Sequence, residues 1–395
     1  MEKLLEGVKV LDLSRVLAGP YCGMMLADMG ADVIKVEMPG KGDDARKNPP
    51  MVQGYSAYYM NLNRNKRGIT LNLKSEKGKE IFRELIKDTD ILIENYRPGV
   101  MDKLGLGYEE LKKINPQLIY GAVSGFGQYG PYSKRPGYDI IGQAMSGLMS
   151  TTGWPDSPPT RTGTAISDVM GGISCCTGIL AAYVNRLRTG RGEMVDVSLV
   201  DSMVSALEII NMIYLLEGRV PKRIGNRYEA IYPYDCFQTA DGYAIIACGN
   251  NKLFAELKKV LQIPELDDAL YDDNIERVAH HDTLKKLVES WTTQRTTEEV
   301  VEQMMAAQIP ASPINTIEQV AKDPHIAGAR EMFVTCHHPV LGDIKLTGNQ
   351  IKFKNHKIDE FRPAPDLGAD TQSIFCEQLG MTPKDVEELR AEGVI

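Results

Sequence analysis

Over its first 200 residues the chain alternates short β-branched runs with helix-forming stretches, and that alternation admits few folds. Strands are predicted at Val8–Leu13, Asp32–Glu37, Ile69–Leu73, Ile91–Asn95, Leu118–Ser124 and Val195–Leu199. Helical stretches fall between them, from Ala18-Gly19-Pro20 to Gly30, from Ser75 to Asp88, and from Ile166 to Arg188. The last has Ser167 and Asp168 at its start and Gly190 after its end. A further long apolar helix is predicted from Asp201 to Glu217. Strands separated by helices are joined by crossovers rather than hairpins, so the reading is α/β with a mainly parallel sheet.

The pattern changes after Gly218. Arg219, Pro221, Lys222, Arg223 and Gly225 read as a linker, and Tyr234–Ala247 reads as a hairpin turned at Ala240-Asp241-Gly242. Helices follow at Lys252–Val260, Thr283–Trp291 and Thr297–Ala307, giving a smaller α+β domain. Strand-like runs return at Asp343–Leu346 and Ile351–Lys354, and the chain ends in helix signals. The predicted division is residues 1–218, 219–325 and 326–395, the last returning to the large domain.

Several chemistries are disfavoured. A net charge of −8 argues against a nucleic-acid footprint. The uncharged stretch Val169–Asn185 is broken by three glycines and reads as too short and polar for a membrane span. Acids in Met1-Glu2-Lys3-Leu4-Leu5-Glu6 do not suit a secretory signal. Seven scattered cysteines without a CxxC pair suit reduced thiols, so a cytoplasmic location is expected, with no metal site. All six histidines lie at or after His280, so a site built from earlier residues has no imidazole. The pairs His280-His281 and His337-His338 read as surface residues.

Three motifs carry the chemistry. Gly125-Phe126-Gly127-Gln128-Tyr129-Gly130 spells GxGxxG, but Pro131, Lys134-Arg135 and Pro136-Gly137 continue it as a turn loop rather than a dinucleotide helix. Basic clusters at Lys41/Arg46, Arg64/Lys66/Arg67, Arg97/Lys103 and Lys134/Arg135 follow predicted strands, where open α/β sheets take ligands, and suit a phosphorylated cofactor. Asp168 sits where a helix N-terminus favours the anion, which points to a nucleophile, and Gly171-Gly172 leave room for a ligand.

Leu5–Pro20 and Leu26–Glu37 resemble the start of the class III coenzyme A transferases, the family of carnitine and formyl-coenzyme A transferases. Asn63–Arg67, Glu94–Gly99, Ser124–Pro131, Thr189–Gly192 and Leu389–Ile395 are similar to its further blocks, in order along the chain. The resemblance implies a large Rossmann-like α/β domain with a mainly parallel sheet, built from both chain ends, plus a smaller α+β domain. It also implies an interlinked, ring-like homodimer. Asp168 falls on the family's catalytic aspartate, and Leu17, Ala18, Leu71, Lys74, Asn95, Tyr96, Arg97, Lys103, Arg135 and Tyr138 fall on positions lining the coenzyme A site. The substrates implied are an acyl-coenzyme A and a small carboxylic acid, with aspartyl anhydride and aspartyl-coenzyme A thioester intermediates and no prosthetic group.

The family's α-methylacyl-coenzyme A racemases pair the aspartate with a histidine where this chain has Tyr138. Moving an α-proton between faces needs two acid–base groups, so transfer is favoured over racemisation. A catalytically silent coenzyme A-binding protein is disfavoured by Asp168. Formyl-coenzyme A transferases carry glutamine at the position of Leu17 and a glycine run at Gly249-Asn250-Asn251, so formate and oxalate are not indicated.

Overall fold

The structure is a computed structural model and describes residues 3–395; Met1 and Glu2 lie outside the described residues. Strands β1 (Lys9–Asp12), β2 (Asp32–Glu37), β3 (Arg67–Thr70), β4 (Ile91–Glu94), β5 (Ile119–Ser124) and β6 (Glu193–Ser198) form one parallel sheet. Their spatial order is β3-β2-β1-β4-β5-β6. This is the doubly wound order: the chain steps outward one way from β1, then outward the other way from β4. A crevice opens where the direction reverses, beyond the carboxyl ends of β1 and β4.

Alternation along each strand sorts side chains between two cores. Along the chain the helices are α1 (Ala18–Asp28), α2 (Glu76–Ile86), α3 (Asp139–Met145), α4 (Ile166–Thr189), α5 (Leu199–Ala206) and α6 (Glu208–Glu217). Val10, Val33, Ile91, Ile93 and Val123 face α1 and α4, where they meet Cys22, Leu26, Cys175 and Ile179. Leu11, Ile34, Leu92 and Tyr120 face the other way, onto Ile81, Phe82 and Leu85 of α2. By length and composition α4, at 24 residues, could cross a membrane, because it outruns the uncharged stretch seen in the sequence. Here it is a core helix, with Cys175, Cys176, Ile179 and Ala182 buried under the sheet.

The chain divides into two compact units. One holds the residues up to Leu148, Arg161–Gly218 and Gly328–Ile395; the other holds Met149–Thr160 and Arg219–Ala327. In the second, β7 (Tyr234–Gln238), β8 (Tyr243–Ala247) and β9 (Ala311–Pro313) form an antiparallel sheet in the order β9-β8-β7. Helices α7 (Asn251–Leu261), α8 (His281–Thr292) and α9 (Thr297–Ala306) close its core around Phe237, Ile246, Phe254, Leu257 and Val288. The segment Met149–Thr160 joins this unit although the composition shift comes only at Gly218.

The returning segment carries the hairpin β10 (Phe333–His338) and β11 (Gly342–Thr347), then α10 (Thr371–Leu379) and α11 (Pro383–Ala391). It completes the first unit with helices: Ile374, Phe375, Val386 and Leu389 cover the α2 face. The parallel sheet itself is not built from both chain ends, since all six strands lie between Lys9 and Ser198.

Three local expectations are corrected. Ile351–Lys354 is not a strand; the pairing partner of β11 is Phe333–His338, which was not predicted as one. The helix expected over Asp201–Glu217 is two, α5 and α6, bent by 77°. Glu208 takes φ +34° at the break, and the Asn211 amide donates to the Val204 carbonyl freed there (2.6 Å). His338 is buried rather than on the surface, its Nδ1 accepting the Val340 and Leu341 N–H groups.

One basic cluster, Arg64/Lys66/Arg67, and Arg46 of another are structural, held in ion pairs within the fold. Arg64 is buried against Asp28 (2.6 Å), Lys66 against Asp12 (2.8 Å), Arg67 pairs with Asp32 (2.6 Å) and Arg46 with Glu37 (2.7 Å). Sequence does not distinguish a cation facing inward from one facing a ligand; Arg64 and Lys66 lead into β3 rather than follow it. Breaking a buried pair leaves the other charge uncompensated. Arg64→Ala is therefore expected to lower unfolding free energy in urea by about 3–5 kcal/mol. A ligand role would instead leave stability unchanged and raise KM.

Candidate active site at the switch point

The loop after β1 is the most constrained segment of the site. Val16 takes φ +67°, a left-handed conformation that β-branched residues rarely adopt. It is held from three sides. The Asp43 carboxylate accepts the Val16 N–H (3.1 Å), and Asn95, just past β4, both accepts from the Arg15 N–H and donates to the Arg15 carbonyl (2.7 Å each). Buried Lys35 donates to the Ser14 carbonyl and pairs with Asp43 at 2.9 Å. Lys35 and its neighbours keep the Asp43 carboxyl below the ordinary range against the opposing effect of burial. The loop delivers the chain into α1, whose N-cap Leu17 provides no side-chain cap for the Ala18 and Gly19 N–H groups beside the crevice; Pro20 carries none.

Asp168 reaches the same crevice from α4. It lies in the first turn, half-buried, and α4 starts without a side-chain cap at Ala165. Its neighbour Ser167 is fixed by Asp139 at the start of α3: the carboxylate accepts from the Ser167 N–H (2.9 Å) and hydroxyl (2.8 Å), and its other oxygen accepts from the Gln143 amide (2.8 Å). Burial, and then the Asp139 carboxylate, push Asp168 up to about 7. Both effects oppose the preference for the anion that a helix N-terminus provides.

Gly171 and Gly172 do not make room for a ligand. A Cβ on Gly172 would lie 2.7 Å from the Ala18 carbonyl oxygen and 3.0 Å from Tyr21 Cβ, and one on Gly171 would lie 2.7 Å from a Leu199 methyl. They let α1 and α5 close onto α4, which brings the starts of α1 and α4 together.

Two adjoining cavities occupy the crevice. One, of about 310 Å³, is lined by Leu17, Ala18, Asn95, Tyr96, Arg97, Arg135, Tyr138 and Asp168, together with Ser124. The second, of about 290 Å³, is lined by Leu71, Lys74, Lys41 and again Tyr96. Arg15, Tyr96 and Val100 border both. Ten of the eleven residues singled out from the sequence therefore converge on one crevice. Lys103 does not: it is exposed on the short helix Val100–Lys103 and borders neither cavity. No histidine lines either cavity, and Arg15 ties up the only other carboxylate of the first, Asp44. The GxGxxG segment stays a loop until α3, so no helix opens on it.

Sequence reading missed Asp43, Asp139 and Tyr58. The Tyr58 phenol is raised by burial and by the Asp168, Asp43 and Asp139 carboxylates, which places it among them. Glu94 was also missed. It is buried behind Asn95–Tyr96, accepts the Tyr96 N–H (2.6 Å), and is raised by burial to about 7. Only Asp139 carried a signal, as an acid opening a helix beside Tyr138.

A doubly wound sheet takes its ligand in the crevice at the switch point, and loop cations leading to a half-buried carboxyl suit an elongated anionic ligand there. The model of CoA-transferase family III matches residues 5–371, and the chain belongs to that family. It is 40% identical over 395 residues to the succinyl-CoA:glutarate CoA-transferase of Mus musculus, covering 100% of this chain and 90% of that one. It is 42% identical to the acetyl-CoA:oxalate CoA-transferase of Acetobacter aceti, covering 92% of each. A crystal structure of a CAIB/BAIF family protein from Brucella suis matches with TM-score 0.83 and 40% identity, over 96% of this chain and 100% of that one. The chain is a class III CoA-transferase that acts on coenzyme A thioesters.

The raised Asp168 carboxyl has a stability consequence. Its folded-state pKa lies above the unfolded value, so its contribution is intact in acid and lost as pH rises toward and through about 7. Asp168→Asn removes the charge. The variant is expected to unfold at a higher temperature than the parent at pH 8, by about 2 kcal/mol after solvent screening, with the gap closing by pH 4. Thermal scans at the two pH values measure it; a gap independent of pH contradicts the burial of this charge.

Proposed function

We propose that the enzyme moves coenzyme A between small dicarboxylic acids, with Asp168 as the nucleophile. The observation that carries this is one unpaired carboxyl at the end of a ligand-sized crevice with no imidazole on its walls. The substrate class draws on relatives named for succinyl-CoA with glutarate and for acetyl-CoA with oxalate. The second name reopens oxalate as an acceptor, which Leu17 and Gly249-Asn250-Asn251 had argued against.

The nucleotide end of coenzyme A occupies the Leu71–Lys74 cavity, Arg97 and Arg135 offer charge to its phosphates, and the pantetheine arm runs past Asn95, Tyr96 and Tyr138 toward Asp168. An Asp168 carboxylate oxygen attacks the thioester carbonyl and the C–S bond breaks, giving a mixed anhydride and coenzyme A thiolate. The thiolate attacks the Asp168 carbonyl, releasing the donor acid and leaving an aspartyl-coenzyme A thioester. The acceptor carboxylate attacks that thioester and expels thiolate again, which then takes the acceptor acyl group and frees Asp168. No proton is gained or lost over the cycle. Backbone N–H groups at the start of α1 suit the oxyanion of each tetrahedral step, since a fixed dipole need not reorganise.

Two further parts of the reading follow. We take the working enzyme to be a homodimer, supported by Met212, Tyr214, Leu215 and Leu216 on α6, exposed apolar residues of a kind a monomer rarely clusters. A cytoplasmic location is supported by seven unpaired cysteines, six of them buried.

Asp168→Ala is expected to lose at least a thousandfold in kcat while still binding coenzyme A. Hydroxylamine or borohydride quenching of the turning-over enzyme is expected to mark Asp168 alone; label on Cys175 or Cys176 contradicts the aspartyl route. Because the carboxylate is the reactive form and titrates near 7, kcat/KM is expected to rise about tenfold from pH 6 to pH 8 and then level. Rapid α-deuteration of a 2-methylacyl-coenzyme A in deuterated water would return the racemase reading.

A further inference from the structure

We propose that Ser124 is a coenzyme A-binding residue, its hydroxyl hydrogen-bonding an amide of the pantetheine arm. This rests on the placement of the arm given above.

Ser124 ends β5 and lines the cavity that holds Asp168. It is 7% exposed, and its Oγ is shielded from water with no hydrogen-bond partner. Among the described residues three buried side-chain polar atoms are orphaned in this way, the others being on Gln128 and Tyr232; of the three, Ser124 borders the cavity that holds Asp168. A buried hydroxyl without a partner is costly, so it calls for one the free protein does not supply.

Nearby polar groups are already committed. Ser198, its partner across the β5–β6 register, donates to the Gly125 carbonyl (3.3 Å) and accepts the Asp201 N–H (3.1 Å). Asn95 is used twice by Arg15, and Glu94 takes the Tyr96 N–H. What remains is the ligand. A chain running from the Leu71–Lys74 cavity to Asp168 must cross the carboxyl ends of β4 and β5, and Ser124 stands at that crossing. The part of coenzyme A that spans this distance is the pantetheine arm, whose polar groups are mainly two secondary amides. A serine hydroxyl can serve either amide edge, as donor to C=O or acceptor from N–H, by turning its hydrogen about the Cβ–Oγ bond.

The proposal needs a probe that separates amide recognition from chemistry. Ser124→Ala is expected to weaken coenzyme A binding, measured by calorimetry, about 5- to 30-fold, the range of one lost hydrogen bond to a buried partner. Its kcat/KM for a succinyl-coenzyme A donor is expected to fall by the same factor, mostly through KM. With an amide-free donor, a simple alkyl thioester of succinate, the parent and variant are expected to agree within twofold. Unchanged coenzyme A affinity overturns the proposal, and so does an equal loss with the amide-free donor, which would put Ser124 at the reacting carbonyl or in the fold. The transferase reading fails separately, if Asp168→Ala keeps its turnover or if the parent protein binds no coenzyme A at all.

Discussion

The site depends on one strained residue and the charges that hold it. Val16 in a left-handed conformation is unfavourable by itself, on the order of 1–3 kcal/mol, and persists only where its surroundings over-determine it. Asp43, Asn95 and Lys35 do that, each through the backbone of Ser14–Val16. Lys35 is buried without exposed surface, and against that burial the Asp12 and Asp43 carboxylates keep it charged. The positions of Leu17, Ala18 and the opening turn of α1 all follow from that arrangement. Because Asn95 belongs to the ligand-lining loop after β4, the same hydrogen bonds that fix Val16 also fix the wall opposite.

Asp168 is positioned by a second, independent device. Asp139 draws the start of α4 toward α3 through Ser167, and the missing side chains at Gly171 and Gly172 let α4 press against α5 and α1. Two helix starts that are distant in sequence thereby open on one cavity. The cost is electrostatic: the carboxylate that fixes Ser167 is near enough to raise Asp168. A nucleophile with a higher proton affinity is intrinsically more reactive once ionised, so part of what the protein loses in ionised fraction at neutral pH returns as reactivity.

Most of the fold was legible because its signals are local. Short β-branched strands and the Ser75, Ser167-Asp168 and Gly190 helix boundaries are written within a few residues, and β2 and α4 begin where they are expected. Most of the failures have a shared cause, in that each depended on a contact with something distant. The bend between α5 and α6 occurs inside an unbroken apolar run. Strand β10 is defined by its pairing with β11, although Phe333-Val334-Thr335 carry a local strand signal that the sequence reading passed over. His338 is buried by a hairpin that had been only half seen.

The site divides along the same line. The resemblance carried ten lining residues to one crevice, but the physical reading of charge and glycine went astray where direction mattered. Arg46, Arg64, Lys66 and Arg67 have the composition of a phosphate site, yet all four pair with carboxylates of the fold, Arg64 and Lys66 in its core. Gly171-Gly172 has the composition of a ligand gap and serves helix packing. In both cases sequence supplies the residue type while the fold decides what that residue faces. The cations that do border the crevice, Arg15, Lys41, Lys74, Arg97 and Arg135, lie in its loops, and only Arg15 and Lys41 are drawn into ion pairs, both with Asp44. Such charges remain available to an anionic ligand because they lie exposed in loops, where even the pairs that Arg15 and Lys41 make with Asp44 are weak.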